Sequence, residues 1–125
     1  IRYLTRDDCI RGRKWPDAVV RDAQFPIDIH NPAGSGQAEG EGAQGSAAAV
    51  KPYDIPYGCL VPRQLDGLLV AGRCISGSHD AHASYRVQCI AMALGAAAGA
   101  AAAVAVKQDV LPRDVDVSEV QKALA

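Results

Sequence analysis

The stretch that decides the fold is Leu68-Leu69-Val70-Ala71-Gly72-Arg73-Cys74-Ile75-Ser76, in a chain of 125 residues. Its first four residues form an unbroken apolar run that stops at a glycine, which is typical of a parallel strand covered on both faces. In open α/β sheets the ligand crevice lies just beyond the carboxyl ends of the strands. We therefore predict the last strand of a sheet at 68–71, with the binding chemistry from Gly72 onward.

A polar loop and a long helix are predicted after this strand. Residues 76–84 are rich in hydrogen-bonding groups and include His79 and His82, so we expect a loop that faces a ligand. The helix is predicted from Tyr85 to Lys107, with Ser84 as its N-cap. Its first turn would offer free backbone N–H groups and the positive end of the helix dipole to an anion or an electron-rich ligand edge.

The predicted helix carries Gly95 and Gly99, four residues apart on one face. Glycine costs a helix interior up to about 1 kcal/mol relative to alanine, so we expect another backbone to approach closely there. The same spacing occurs in helix pairs within membranes. Because the helix is built largely of alanine, which contributes little to membrane insertion, no membrane is expected as a partner.

Four ordered blocks of sequence carry a resemblance to a known family. They are the segments 1–8 and 27–30, the stretch from Tyr53 to Pro62, and the strand and helix between Leu68 and Val106. In these blocks the chain resembles the C-terminal segment of FAD-dependent oxidoreductases of the glutathione-reductase-like flavoprotein superfamily. The resemblance implies an α/β fold, namely the C-terminal portion of an FAD/NAD(P)-binding Rossmann-like flavoprotein, with the last sheet strand, a long Ala/Gly-rich helix and a short C-terminal helix.

The same resemblance implies FAD as the cofactor and suggests its contacts. Gly72 and Arg73 would lie along the ribityl and pyrophosphate region, and the start of the helix would lie at the pyrimidine edge of the isoalloxazine ring. Reduced flavin carries negative charge at that edge, which a guanidinium and a helix N-terminus would stabilise. The implied cofactor-binding residues are Gly72, Arg73, Cys74, His82, Ser84, Arg86, Val87 and Gln88. His30 is the candidate catalytic residue on the substrate side.

Two departures from the family pattern affect this interpretation. Gln88 and Cys89 stand where relatives commonly have methionine and proline. In addition, no Gly-x-Gly-x-x-Gly in the sequence opens a predicted strand-to-helix turn with an acidic residue at the ribose-binding distance after it. We therefore expect the chain to be a fragment that is inactive alone, with the diphosphate cradle supplied by the N-terminal dinucleotide-binding part of the same polypeptide.

Charge and cysteine content limit the classes of partner and the compartment that the sequence favours. The net charge of −1 gives no reason to expect nucleic acid, so a small-molecule substrate is the other expected partner. The cysteines form no Cys-x-x-Cys pair, which favours buried free thiols in a reducing compartment such as the cytoplasm. A zinc site built from Cys74, His79, His82 and Cys89 is chemically acceptable, but the spacing is irregular and no metal is expected.

The chain divides into three predicted regions. Residues 1–32 form a substrate-side strand and extended segment, 33–49 a flexible Gly/Ala-rich linker, and 50–125 the C-terminal part of the FAD-binding domain. Within them we predict a strand at 1–5, a solvated turn at Asp7-Asp8, a helical turn at 17–20 and a helix from Val117 to Leu124 that Asp116 caps.

A function of a different class also remains open. The face of the long helix that carries Gly95 and Gly99 would suit docking of another helix. The chain would then be a non-catalytic interaction module rather than part of an enzyme.

Overall fold

The computed structural model describes residues 1–29 and 49–125. His30 and nearly all of the predicted linker lie outside the described residues. The described part of the chain mixes helices with a small sheet, consistent with the α/β class. Its elements are α1 (Arg6–Arg11), β1 (Ala18–Ala23), β2 (Tyr53–Pro56), α2 (His79–Tyr85), α3 (Gln88–Gln108) and α4 (Val117–Leu124), with 3-10 turns at Tyr57–Cys59, Gly72–Cys74 and Pro112–Asp114.

The sheet is an antiparallel pair of β1 and β2. Ala18 lies opposite Pro56, and Val20 lies opposite Ile55, with irregular register between the paired positions. The helical turn predicted at 17–20 is therefore wrong. The residues at 18–20 are buried against a strand that follows more than thirty positions later, and a local sequence pattern does not reveal such a distant partner.

The strand predicted at 68–71 is also wrong, because these residues lie outside the strands of the described structure. Val70 donates one backbone hydrogen bond to the Leu60 carbonyl at 2.8 Å, and the Leu68 side chain is 44% exposed. A parallel strand that is buried on both faces needs a neighbouring strand and covering layers. Among the described residues no strand pairs with this segment, and its side chains are exposed or only partly buried.

The predicted polar loop is largely the helix α2. Ser78 caps this helix, since its hydroxyl accepts a hydrogen bond from the Ala81 backbone N–H at 3.2 Å. The chain then bends at Arg86 and Val87 before α3 begins. The N-cap of α3 is therefore Val87 and not Ser84, which is wholly buried inside α2.

α3 packs on β1 and α4 through one face. The buried residues of this face follow helical spacing and are Ile90, Leu94, Ala97, Ala101 and Ala105. Gly95 and Gly99 are exposed, and a Cβ added at either would meet no heavy atom within 4 Å. The expected close approach of a backbone to these glycines is therefore not made by the described residues.

By length and composition, α3 could cross a membrane, with a mean hydropathy of 2.1 over its most apolar window. A mostly buried core helix of a soluble protein can have the same length and hydropathy, whereas 28% of this window is buried. In this fold α3 contributes its buried stripe to the core beside the fully buried Val120 of α4. The hydropathy alone therefore does not assign α3 to a membrane.

The predicted C-terminal helix is confirmed. α4 spans Val117–Leu124, and the Asp116 carboxylate accepts a hydrogen bond from the Ser118 backbone N–H at 2.9 Å. The Gln121 side chain donates to the carbonyls of Pro16 and Ala18, each at 2.9 Å. Capping and these two hydrogen bonds fix α4 against the start of β1.

The N-terminal segment differs from its prediction. The segment 1–5 forms a single parallel bridge between Leu4 and Gly77. The predicted solvated turn at Asp7-Asp8 is instead the first turn of α1, where Thr5 and Asp8 form a capping box and Asp8 is buried. The reciprocal hydrogen bonds of a capping box satisfy backbone donors that a turn would leave to water.

Gly77 is needed where the N-terminal segment crosses α2. A Cβ at this position would lie 2.8 Å from Cε1 and 3.0 Å from the hydroxyl of Tyr85, and 3.3 Å from the Leu4 carbonyl. Tyr85 is 1% exposed and donates to the Ile75 carbonyl at 3.2 Å. This crossing holds the segment from Ile75 to Ser78 in place immediately before α2.

Candidate functional site

The predicted ligand contacts, apart from Ser84, lie around the bend between α2 and α3, which we call the junction. The junction consists of the turn Gly72–Cys74, the end of α2 and the first turn of α3. The structure thus brings together residues that are separated by up to sixteen positions in the sequence. The predicted residues at the junction are Gly72, Arg73, Cys74, His82, Arg86, Val87 and Gln88.

The turn at Gly72–Cys74 lies against α3. Gly72 has φ of +58°, in the left-handed region that favours glycine. A Cβ built there would be 3.8 Å from the Cβ and the carbonyl of Ala91. The side chains of Arg73 and Cys74 are exposed, so the turn presents them outward beside the start of the helix.

A hydrogen bond joins this turn to the junction. The Arg73 Nε donates to the backbone carbonyl of Arg86 at 3.0 Å. That carbonyl directly precedes Val87, the N-cap of α3. The guanidinium of Arg73 is therefore held beside the N-terminus of α3.

The N-terminus of α3 has the character of an anion-binding helix end. Val87 makes no side-chain capping bond, and the first turn of this 21-residue helix contains no acidic residue. The side chains of Gln88 and Cys89 are exposed. An uncapped helix N-terminus carries about half a positive charge and unpaired N–H donors, so it stabilises negative charge placed beside it.

One face of α2 forms a small cleft next to the junction. His79, His82 and Arg86 follow the spacing i, i+3, i+7 and line this cleft of about 160 Å³, together with Asp28, Ile29 and Ala83. The Arg86 Nη2 donates to the Asp28 backbone carbonyl at 3.1 Å. The cleft therefore lies between α2 and the segment that precedes the undescribed residues.

The imidazole of His82 lies in positive surroundings. Burial lowers the pKa of His82 below its usual value, and the charges of Arg86, His79 and Arg73 lower it further, against a hydrogen bond with the Arg73 backbone that raises it. The ring contacts Tyr85 edge-on, with the centroids 5.2 Å apart. The neutral form of His82 is therefore favoured unless negative charge enters the cleft.

Ser84 lies away from the junction surface. It is fully buried, and its hydroxyl hydrogen-bonds with the Tyr53 hydroxyl at 2.9 Å and donates to the Phe25 carbonyl. Both contacts tie α2 to the sheet and to the segment that leads to Asp28. In the described structure Ser84 therefore holds the wall of the cleft and does not face the junction surface.

His79 was not among the predicted site residues, although it lines the cleft. The sequence signal for it is the spacing of 79, 82 and 86, which puts all three side chains on one face of a helix. This signal is visible only once residues 79–85 are recognised as helical. A prediction of α2 from its cap, Ser78, would have found it.

A metal site is not supported by the described residues. No group of three or more His, Cys, Asp or Glu side chains among them could hold a metal ion. Cys9 and Cys59 are buried free thiols, as expected, but Cys74 and Cys89 are exposed. The zinc alternative of Cys74, His79, His82 and Cys89 is therefore not formed.

Comparison with known proteins assigns a family. A family model described as FAD dependent oxidoreductase matches residues 2–124, almost the whole chain. Comparison with curated proteins finds no match, and comparison with solved structures finds none either.

Proposed function

Because the chain belongs to the FAD dependent oxidoreductase family, whose cofactor is FAD, we propose that the junction contacts the flavin end of FAD. The proposed contacts are Gly72, Arg73, Cys74, His82, Arg86, Val87 and Gln88. The observation that carries the proposal is the hydrogen bond that holds Arg73 beside the uncapped N-terminus of α3.

The donors at the junction fit an electron-rich ring edge. Arg73 and Arg86 supply guanidinium N–H groups, and the first turn of α3 supplies backbone N–H groups without a side-chain cap. The left-handed turn at Gly72 lets a ligand approach the backbone without meeting a side chain. These groups fit the flavin ring and its ribityl chain.

The residues of the junction would bind and orient the cofactor. Arg86 and the dipole of α3 stabilise negative charge at the ring edge, and His82 provides a half-buried imidazole beside them. When bound, FAD supplies the redox chemistry of the reaction. The protein contributes position and electrostatics, and His30 stays a prediction for the substrate side.

The diphosphate of FAD needs a glycine-rich cradle that opens a strand-to-helix turn. The pattern Gly-x-Gly-x-x-Gly occurs in the chain at 40–45, but these residues belong to the predicted Gly/Ala-rich linker and follow no predicted strand. Our proposal therefore includes a Rossmann-like dinucleotide-binding part elsewhere in the same polypeptide, with this chain as its flavin-proximal C-terminal segment. A small molecule is the proposed substrate, and the cytoplasm the proposed location.

A second candidate function is docking of another helix. The observation in its favour is the exposed face of α3, where Gly95 and Gly99 are uncovered and Met92 is 66% exposed. Small residues on one face allow close packing of two helices. Helix docking and flavin binding predict different results for the FAD affinity of the full-length protein.

The test is the FAD affinity of the full-length natural protein and its Arg73→Ala variant. Loss of one charged hydrogen-bonding group removes about 1.5–3 kcal/mol, so the variant should bind FAD roughly ten- to a hundredfold more weakly. Arg11→Ala is the matched control, because Arg11 is 79% exposed on α1 and pairs with Asp7. Equal affinity of both variants would remove Arg73 from the site, and a protein without FAD would favour helix docking.

A further inference from the structure

The cleft lined by His79, His82 and Arg86 is not explained by flavin binding alone. It lies on the α2 side of the junction, and Asp28 and Ile29 form its opposite wall. We propose that this cleft is a subsite for the acid group of the substrate, a carboxylate or a phosphate. The position of the subsite beside the cofactor depends on the proposed function, whereas its binding of an oxyanion does not.

The side chains are arranged for a single small ligand. Helical spacing places His79, His82 and Arg86 on one face of α2, and all three line the cleft, with the His79 side chain 80% exposed. Arg86 is oriented by its hydrogen bond to the Asp28 carbonyl, which uses one guanidinium nitrogen, Nη2. A guanidinium carries five N–H donors, and its fork geometry matches a carboxylate or a phosphate.

The volume of the cleft limits what it can hold. Complete ligands usually occupy pockets of about 300–1,000 Å³, and this cleft measures about 160 Å³. It therefore fits one acid group with a few further atoms. The remainder of a substrate would extend out of the cleft, towards the junction.

The charges around His82 favour an anion. Arg73 faces it from the turn at Gly72–Cys74, and Arg86 and His79 face it from α2. Two carboxylates belong to the same surroundings, Asp28 in the wall of the cleft and Asp80 on α2. Asp80 is paired with Arg6 at 3.4 Å and lies 3.6 Å from His79 Nδ1. The two guanidinium groups of Arg73 and Arg86 are then set against the single carboxylate of Asp28.

Anion binding and protonation of His82 should be coupled. Burial, and after it the surrounding positive charges, hold the pKa of His82 below its usual value, and an oxyanion in the cleft would offset the effect of these charges. Binding should therefore raise the pKa of His82, and the affinity for the anion should increase as the pH falls. A cleft that binds no anion would leave this titration unchanged.

The test is a histidine-detected NMR titration of the full-length protein at about pH 6, near the ordinary pKa of histidine. Malonate and inorganic phosphate are the probes, and FAD content is measured separately. We expect a saturable shift of the His82 signal, a raised His82 pKa, and about tenfold weaker binding in His82→Gln. Arg86→Lys provides a second variant with the charge retained, and should also weaken binding because the bidentate fork is lost.

Each outcome decides the proposal. Saturation by malonate alone identifies a carboxylate subsite, and saturation by phosphate alone a phosphate subsite. Shifts of all histidines that grow with ionic strength and do not saturate would overturn the subsite. An FAD-loaded protein without a saturable shift would contradict the subsite and leave the proposed function standing. A flavin-free protein that binds the anion would contradict the proposed function and leave the oxyanion subsite standing.

Discussion

Arg73 and Arg86 are joined by a hydrogen bond of 3.0 Å, from the Nε of the first to the backbone carbonyl of the second. Arg86 continues the connection by donating from Nη2 to the Asp28 carbonyl at 3.1 Å. These two bonds link the turn at Gly72–Cys74, the start of α3 and the wall of the cleft. A change at either arginine should therefore affect both the proposed cofactor contacts and the cleft.

Replacing Arg86 with alanine should lower the reduction potential of bound FAD. In the proposed flavin site the guanidinium would favour the more negative, reduced form of the cofactor, and a loss of about 1.4 kcal/mol corresponds to about 30 mV for a two-electron couple. The measurement is a redox titration of the full-length protein against reference dyes. An unchanged potential in a variant that still binds FAD would remove Arg86 from the flavin site.

The hydroxyls of Ser84 and Tyr53 should stabilise the fold as a pair. Ser84 bridges Tyr53 and the Phe25 carbonyl in the core, so Ser84→Ala and Tyr53→Phe should each lower the free energy of unfolding by about 1–3 kcal/mol. The double variant should lose less than the sum, because both changes remove one shared contact. Urea denaturation measures all three.

The matched control for this pair is Tyr3→Phe. Tyr3 is 57% exposed in the N-terminal segment, so water hydrates its hydroxyl in the folded protein. This variant should change the stability by less than about 0.5 kcal/mol. Fully additive losses at Ser84 and Tyr53 would show that the two hydroxyls act independently.

Alanine at Gly77 and at Gly95 should have opposite effects on stability. At Gly77 the new methyl would clash with the buried ring of Tyr85, so we expect a loss of about 1–3 kcal/mol. At Gly95 there is open space, so Gly95→Ala should stabilise α3 by up to about 1 kcal/mol. Thermal denaturation of both variants checks the signs, and destabilisation by Gly95→Ala would show that this face is covered in the protein tested.

Asp8 should make stability depend on acidic pH. Burial raises the pKa of Asp8, but hydrogen bonds from Thr5 and the ion pair with Arg13 at 3.1 Å outweigh it and hold the pKa below the usual 3.8. A depressed pKa contributes stability that is present above about 3.8 and is lost as the pH falls through the lower value in the folded state. Unfolding measured against pH should show this loss.

The variant Asp8→Asn isolates the contribution of Asp8. Without the titrating group, the protein should be less stable by about 1 kcal/mol near neutral pH, as for the loss of a helix cap. It should also lack the Asp8 part of the acid-dependent loss. Asp7→Asn is the control, because Asp7 is 66% exposed and forms only a surface pair with Arg11. Identical pH profiles for the wild type and Asp8→Asn would contradict this account.

Helices with local signals could be predicted from the sequence. α4 has an acidic N-cap, Asp116, and one buried apolar residue, Val120, within its eight residues. Its predicted bounds are confirmed. The body of α3 was predicted because a long run of small residues has a strong helical propensity. Its start was misplaced by three residues, since the bend at Val87 has no capping side chain that would mark it.

Elements that depend on distant contacts could not be predicted. β1 pairs with β2, which follows the undescribed segment in the sequence. The apolar run at 68–71 has the composition of a strand, but no strand among the described residues lies beside it. α2 was missed because its polar residues suggested a loop. The residues that the resemblance implies as FAD contacts nevertheless lie together at the junction, apart from the buried Ser84. Their contact with FAD stays a prediction.

The central claim is tested most directly by the visible absorption spectrum of the purified full-length protein, repeated on the supernatant after heat denaturation. The account predicts flavin bands in the native protein, and FAD identified by chromatography in either the supernatant or the pellet. A well-folded protein without flavin bands, which acquires none when incubated with FAD, would contradict it.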